Sequence, residues 1–395
     1  MPDFQTIAAV VFLVALTIFV FLKRKNLETK QLVPYFLYFS MYKTKAGLKL
    51  MDSWAKKYKK LLLFIGYAGI LVGFLGMALI SYSLVKNIFI LFTKPEAAPG
   101  VGLVLPFKAK GIFFVPFFYW IISIFVIAVV HEFAHGVIAR THRLKVKSSG
   151  FAFLALVIPI IPAAFVEPDE KELKKRPHKE QLSVFAAGPF ANIAAAFLFL
   201  GIASFLLAPI ARAMIEPNGV RITDYVKENG PFPAETYGVK INEVIREVDG
   251  TPTPYVNNLS AVLRSKKPND IVTIKTDKSE YKIKLAKNPE NESIAYIGAF
   301  LEQSTKINEN VTEKYGKFLP NVLIWVLGLL VILYVLNFGI GLFNLVPIGP
   351  LDGGRMLQLV LYRIFDEKKA NKIFVYVGLF FLAIIFFNIA IGFVR

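Results

Sequence analysis

The chain reads as a polytopic α-helical membrane protein of about six transmembrane helices, carrying one small α/β domain outside the bilayer. Three observations predict this. Of 395 residues, 55% are hydrophobic, above the roughly 45–50% usual for a soluble domain, and the mean hydropathy is +0.54. Several apolar runs are long enough to cross about 30 Å of hydrocarbon. Between Glu216 and Lys317 the composition turns polar and charged, with alternating strand-like stretches.

The apolar runs are Phe4–Leu22, Leu61–Leu84, Gly111–Ile138, Leu182–Ile210, Val322–Val346 and Ile373–Val394. The first ends at Lys23-Arg24-Lys25 and has neither a basic leader nor a small-residue cleavage site, so it reads as a retained anchor. Lys and Arg number 11 in 23–60, 9 in 139–180 and 4 in 362–373, against 4 in 1–6 and 85–110 together. Basic residues accumulate in cytoplasmic loops, which predicts those three linkers to be cytoplasmic and the N-terminus to lie outside. The net charge of +18 thereby belongs to flanks at the headgroups of the lipid bilayer, not to nucleic-acid binding. The absence of cysteine excludes a disulfide framework and thiolate metal sites.

Four segments lie between or within these runs. Gln31–Lys60 mixes Tyr35, Phe36, Tyr38, Phe39, Tyr42 and Trp54 with lysines, the composition of an interfacial segment. Lys86–Lys110 holds three prolines and two glycines and reads as an outside loop dipping toward the membrane. Gly150–Val166 is apolar but broken by Pro159 and Pro162, which favours extended or re-entrant backbone sheltered by protein. In the polar insertion, Ile271–Thr276 and Tyr281–Leu285 alternate with period two, as strands do. The organisation expected is an anchor helix and interfacial segment over 1–60, membrane core over 61–215, the insertion over 216–317 and membrane core again over 318–395. Alternation of the spans puts the insertion outside the cytoplasm.

The chemistry concentrates at His131-Glu132-Phe133-Ala134-His135, near the cytoplasmic end of the third run. On a helix, positions i and i+4 share a face one turn apart, so both imidazoles can bind one Zn²⁺ while the adjacent Glu132 reaches a water as general base. Ionisable groups inside a membrane helix are costly and point to function. A catalytic zinc needs a third protein ligand. His142 lies one residue beyond the spacing at which Thr141 stands, and His178 sits in a charged linker; both read as surface histidines. Asp352 follows a long apolar run among Pro347, Pro350, Gly353 and Gly354. Composition alone leaves it either a metal ligand or a cap on the next helix. Asn192, in Gly188-Pro189-Phe190-Ala191-Asn192, is likewise either a helix-packing hydrogen bonder or a site residue.

His-Glu-x-x-His in one span, Gly-Pro-x-x-Asn in the next and Asn344-x-x-Pro347-x-x-x-x-Asp352-Gly353 in a third together resemble the site-2 protease family of intramembrane zinc metalloproteases. The resemblance covers the transmembrane core. It implies that His131, His135 and Asp352 hold the zinc and that Glu132 is the catalytic base. It also implies that Asn192 lines the site and steadies substrate backbone or oxyanion, with Asn344 as a weaker substrate contact. Pro233–Gly250 is similar to the core of PDZ domains, which family members often carry between these spans. The sequence departs from the PDZ pattern at the carboxylate-binding loop, around Glu228–Phe232. The substrates implied are transmembrane segments of single-span membrane proteins, already trimmed outside, cut in regulated intramembrane proteolysis near the cytoplasmic side. A peptide or substrate segment is the partner implied for the PDZ-like domain. The competing readings are a non-catalytic membrane scaffold bearing a PDZ domain, which an intact Glu132 disfavours, and an ion transporter. The latter predicts inverted repeats and further intramembrane carboxylates, and the apolar runs contain few acids.

Overall fold

The structure, a computed structural model, describes residues 4–33, 37–94, 97–155, 159–227 and 230–394. Among them, six helices are long and apolar enough to cross a membrane. The first, α1 (Phe4–Lys23), buries only Leu16, as a helix facing lipid nearly all round does. β1 (Leu27–Val33) and β2 (Leu37–Thr44) then form an antiparallel hairpin. The stretch expected to lie along the interface is thus strand over 31–33 and 37–44, and Lys43 is held by Glu28 at 2.8 Å and Glu167 at 3.1 Å. Tyr35 and Phe36 lie outside the described residues. Within that stretch, α2 (Leu48–Lys57) has the amphipathic pattern of an interfacial helix, burying Met51 and Ala55.

α3 (Lys59–Thr93) runs past the expected end at Leu84, through Lys86 and Asn87. A lysine near a helix end can extend its stem along apolar surface to reach polar surroundings, so one charge did not stop the helix. Its buried Gly66, Gly69, Gly73 and Gly76 form a stripe on one face that meets Ser183, Phe190, Met356 and Leu345. Small residues at this spacing let membrane helices approach closely. The short parallel pair β3 (Leu103–Leu105) and β4 (Ile112–Phe114) follows. α4 (Phe117–Thr141) starts only after Pro116, later than the apolar run at Gly111, because 112–114 is strand.

β5 (Val146–Ala155) and β6 (Pro159–Pro168) are antiparallel. With the first hairpin they make a sheet of order β1-β2-β5-β6. β6 is an edge strand, where prolines cost no ladder hydrogen bond. Residues 156–158, between the two strands, lie outside the described residues. α5 (Glu170–Leu173) is capped by Asp169, whose carboxylate accepts from Lys171 and Glu172 N–H. α6 (His178–Gly201), a π-helical stretch Ile202–Leu207 and α7 (Ala208–Met214) make the fourth candidate span.

The insertion is a separate compact unit, Ser204–Leu327, apart from 1–203 with 328–395. It contains β7 (Ile215–Tyr225), α8 (Pro233–Thr236), β8 (Val244–Val248), β9 (Thr251–Pro252), α9 (Val256–Ser265), β10 (Ile271–Thr276), β11 (Glu280–Lys284), β12 (Ala286–Lys287), β13 (Ala295–Tyr296), β14 (Ala299–Ile307) and α10 (Glu309–Tyr315). Its main sheet has the order β11-β10-β8-β7-β14, with β9 paired to β8. Val220, Ile222, Ile245, Val272 and Ile274 from alternate strand positions pack with Leu259 of α9, the burial that period-two alternation encodes. Of the loop expected near Glu228–Phe232, residues 228 and 229 lie outside the described residues. The chain returns through α11 (Phe318–Phe343), unwinds, and continues as α12 (Asp352–Ile364) and α13 (Glu367–Val394).

Candidate active site

α4 sets His131 and His135 on one face, with their Nε2 atoms 3.1 Å apart. Asp352 Oδ2 stands 3.1 Å from the first and 3.4 Å from the second. Donors held tetrahedrally by a metal at about 2.0–2.1 Å would be separated by about 3.3 Å, so the three atoms already have the spacing of one face of such a site. All three side chains are nearly buried, at 12–14% exposure. Two imidazoles and a carboxylate, without a thiolate, are a donor set suited to zinc with a position left open.

Asp352 arrives there because the chain unwinds over 344–351 and then restarts as a helix. Gly353 N–H donates to the Asn344 carbonyl at 2.8 Å. A Cβ on Gly353 would stand 2.1 Å from the Leu345 oxygen, and one on Gly354 2.1 Å from that of Ile348. Only glycines let α12 seat this closely on the unwound segment. Leu351 is the N-cap of α12 and makes no side-chain cap bond. The carboxylate of Asp352, which the sequence left between ligand and cap, therefore faces the histidines.

α6 supports both rings. The Val184 carbonyl accepts from His135 Nδ1 at 2.6 Å, which leaves Nε2 of that ring free to ligate. Gly188 gives the rings room, since a Cβ there would lie 2.4 Å from His135 Nε2 and 2.6 Å from His131 Nε2. Asn192 is completely buried, with its amide 3.2 Å from His131 Nδ1. Glu132 Oε2 accepts the Val166 N–H of β6 at 2.9 Å, so an edge strand orients the carboxylate beside the donor triangle.

The triangle and Glu132 line a cleft of about 650 Å³, together with Phe165, Val166, Phe185, Asn344, Leu351 and Arg355. Charged pairs flank it, Lys147 with Asp169 at 3.2 Å and Arg355 with Glu170 at 3.7 Å. Asn344 thus reaches the cleft, while Asn192 is not among the residues lining it.

His178 is exposed at the start of α6, but His142 is not the surface histidine its charged linker predicts. It is buried, with Nε2 2.7 Å from Ser183 Oγ and its ring 6.1 Å from that of Tyr67. The chain turns at Arg143, φ 60°, and the first turns of α6 cover the end of α4. Ser183 Oγ donates to the Glu180 carbonyl at 2.8 Å, so the imidazole is the donor to Ser183. Burial holds its pKa below the ordinary histidine value. The roles of the Val184 carbonyl and the Val166 amide had no signal in the sequence, because backbone groups are common to every residue. Gly188 was visible only as part of a motif.

Residues 119–385 match the model of peptidase family M50. An uncharacterized protein of Methanocaldococcus jannaschii is 30% identical over 240 residues, 60% of this chain and 56% of that protein. The chain therefore spans little more than half the length of that relative. A crystal structure of the PDZ domain of the SdrC-like protein from Listeria monocytogenes is 25% identical over 21% of this chain and 86% of that one, with a TM-score of 0.18.

Proposed function

Since this chain belongs to peptidase family M50, the site-2 protease family of membrane metalloproteases, we propose that it is a zinc endopeptidase cutting single-span membrane proteins within their transmembrane segments. The observation that carries this reading is the triangle of His131, His135 and Asp352 donor atoms, 3.1–3.4 Å apart, beside Glu132. Zinc bound there supplies Lewis-acid chemistry that makes water a nucleophile near neutral pH and favours negative charge on a carbonyl oxygen.

The residues of the chain do the rest. Glu132, with Oε2 occupied by the Val166 N–H, takes the proton of the attacking water on its other oxygen and returns it to the departing amine. Asn344, lining the cleft, orients the substrate backbone. A helical carbonyl is already hydrogen-bonded, so a substrate helix must unwind first. The edge of β6 on the cleft suits a backbone accepted as an added strand. The basic linkers put the cleft near the cytoplasmic side, and alternation of spans puts the insertion on the other. There β14 ends its sheet beside α9, an edge suited to a peptide taken as an extra strand, as in PDZ domains. A scaffold without catalysis has no need of Glu132 next to a complete donor set.

The test is cleavage of a detergent-solubilised single-span substrate by wild type and by Glu132→Gln, each with and without a zinc chelator. Cleavage by the untreated wild type alone supports the mechanism. Cleavage by Glu132→Gln at the wild-type rate refutes it.

A further inference from the structure

We infer that Asn192 is the positioning residue of His131: its side-chain oxygen receives the Nδ1 proton of that ring, and so turns an unprotonated Nε2 toward Asp352 and His135. The inference deepens the zinc-protease reading and rests on it.

Two observations carry it. The first is the amide itself. Asn192 has no exposed surface, and one end of its amide lies 3.2 Å from His131 Nδ1. With nitrogen at that end, Oδ1 is left buried without a hydrogen-bond partner among the described residues. An amide nitrogen donating to Nδ1 would also force the ring proton onto Nε2, the atom 3.1 Å from Asp352 Oδ2, where it would block a metal. A half-turn of the amide exchanges its two nearly isosteric ends. It gives the oxygen a donor and frees Nε2 together. Histidines that hold metals regularly give their other N–H to an acceptor in this way.

The second observation is the spacing along α6. Val184, Gly188 and Asn192 stand at i, i+4 and i+8 and so lie along one side of the helix. Val184 accepts from Nδ1 of His135, Gly188 gives both rings clearance, and Asn192 meets Nδ1 of His131. The two rings are thus served at the same atom, one by a backbone carbonyl and the other by a side-chain oxygen. Asn192 stands outside the cleft lining, whereas Asn344 is in it. Contact with substrate or with a developing oxyanion falls to Asn344, and Asn192 acts through His131.

The test is the zinc dissociation constant of the purified full-length chain, measured by competition with a chromophoric chelator, for wild type, Asn192→Asp and Asn192→Leu. Leu removes the acceptor at similar volume, and zinc affinity is expected to fall about 10–100-fold. Asp keeps an acceptor and is expected to bind zinc at least as tightly as wild type. Asn192→Leu with wild-type affinity but a lowered kcat would overturn the inference and restore an oxyanion role for Asn192. Asp also decides the matter if the Leu variant fails to fold, because a carboxylate facing an unprotonated Nδ1 would repel it. Zinc binding weakened about 10–100-fold relative to wild type in Asn192→Asp overturns the inference. A wild-type chain that binds no zinc overturns the protease reading and this inference with it, whereas tight wild-type binding unchanged in Asn192→Leu overturns this inference alone.

Discussion

Adding one methyl group at Gly188 is expected to remove tight zinc binding while leaving the helices assembled. The new Cβ would stand 2.4 Å from His135 Nε2 and 2.6 Å from His131 Nε2, short of an ordinary 3.4 Å contact by 1.0 and 0.8 Å. Retreat is blocked for His135, whose Nδ1 is tied to the Val184 carbonyl. Both rings also share α4, so moving one turn moves the other. Displacing a catalytic group by about 1 Å costs on the order of 10² in rate, and comparable losses follow in metal affinity when a ligand loses its proper support. Gly188→Ala should therefore bind zinc about 100-fold more weakly. Alanine is a better helix former than glycine by about 1 kcal/mol, so α6 itself gains. Zinc competition and thermal melting of the metal-free protein read the two effects separately. A variant that holds zinc as tightly as wild type would refute the idea that Gly188 is there for clearance.

Val166→Pro removes the N–H that orients Glu132. A hydrogen bond to a charged group contributes about 1.5–3 kcal/mol, so kcat should fall roughly 10–100-fold with zinc content unchanged; an unaltered kcat contradicts that role for β6. Gly353→Ala drives a Cβ against the Leu345 carbonyl, backbone that cannot swing aside. It should lower the melting point, at the upper end of the about 1–3 kcal/mol typical of overpacking. Met51→Ala empties the contact with Gly136 beside His135 and should cost about 2–5 kcal/mol in denaturation. His142, facing Glu180, Arg176 and Lys59, has its pKa lowered by burial, so the unfolded chain binds the extra proton. Stability should therefore fall as pH drops through about 6.5 and below. In His142→Gln that slope should flatten, and an unchanged pH profile of melting would count against it.

What could be read from the chain follows the range of the interactions involved. The His131–His135 pair was legible because a helix fixes i and i+4 whatever surrounds it. The alternation in β10 and β11 was legible because strands half-buried on one face write a period of two. The prolines of Gly150–Val166 announced extended backbone, and β5 and β6 are strands. The strand β2 was not legible, since it pairs with β5 more than a hundred residues away, Tyr42 opposite Phe151. His142 failed for the same reason: its linker is charged, but its partner Ser183 belongs to the next helix. Composition alone left Asp352 between two readings and the motif resemblance implied the ligand; the close seating of Gly353 on Leu345 is what brings its carboxylate beside the histidines.

Val184, Gly188 and Asn192 serve the two histidines from a single run of helix, and this makes the length of that run as important as its chemistry. Each residue of an α-helix turns the chain by about 100°. One residue inserted between Val184 and Asn192 would swing the carbonyl, the gap and the amide out of phase with each other, though every one of them remained in the chain. Conservative exchanges can be absorbed at other positions in this stretch, but a change of count cannot. Elsewhere, as in the turns of the 216–317 insertion, extra residues can be accommodated at the surface. Between 184 and 192 the spacing is itself the component that must not vary.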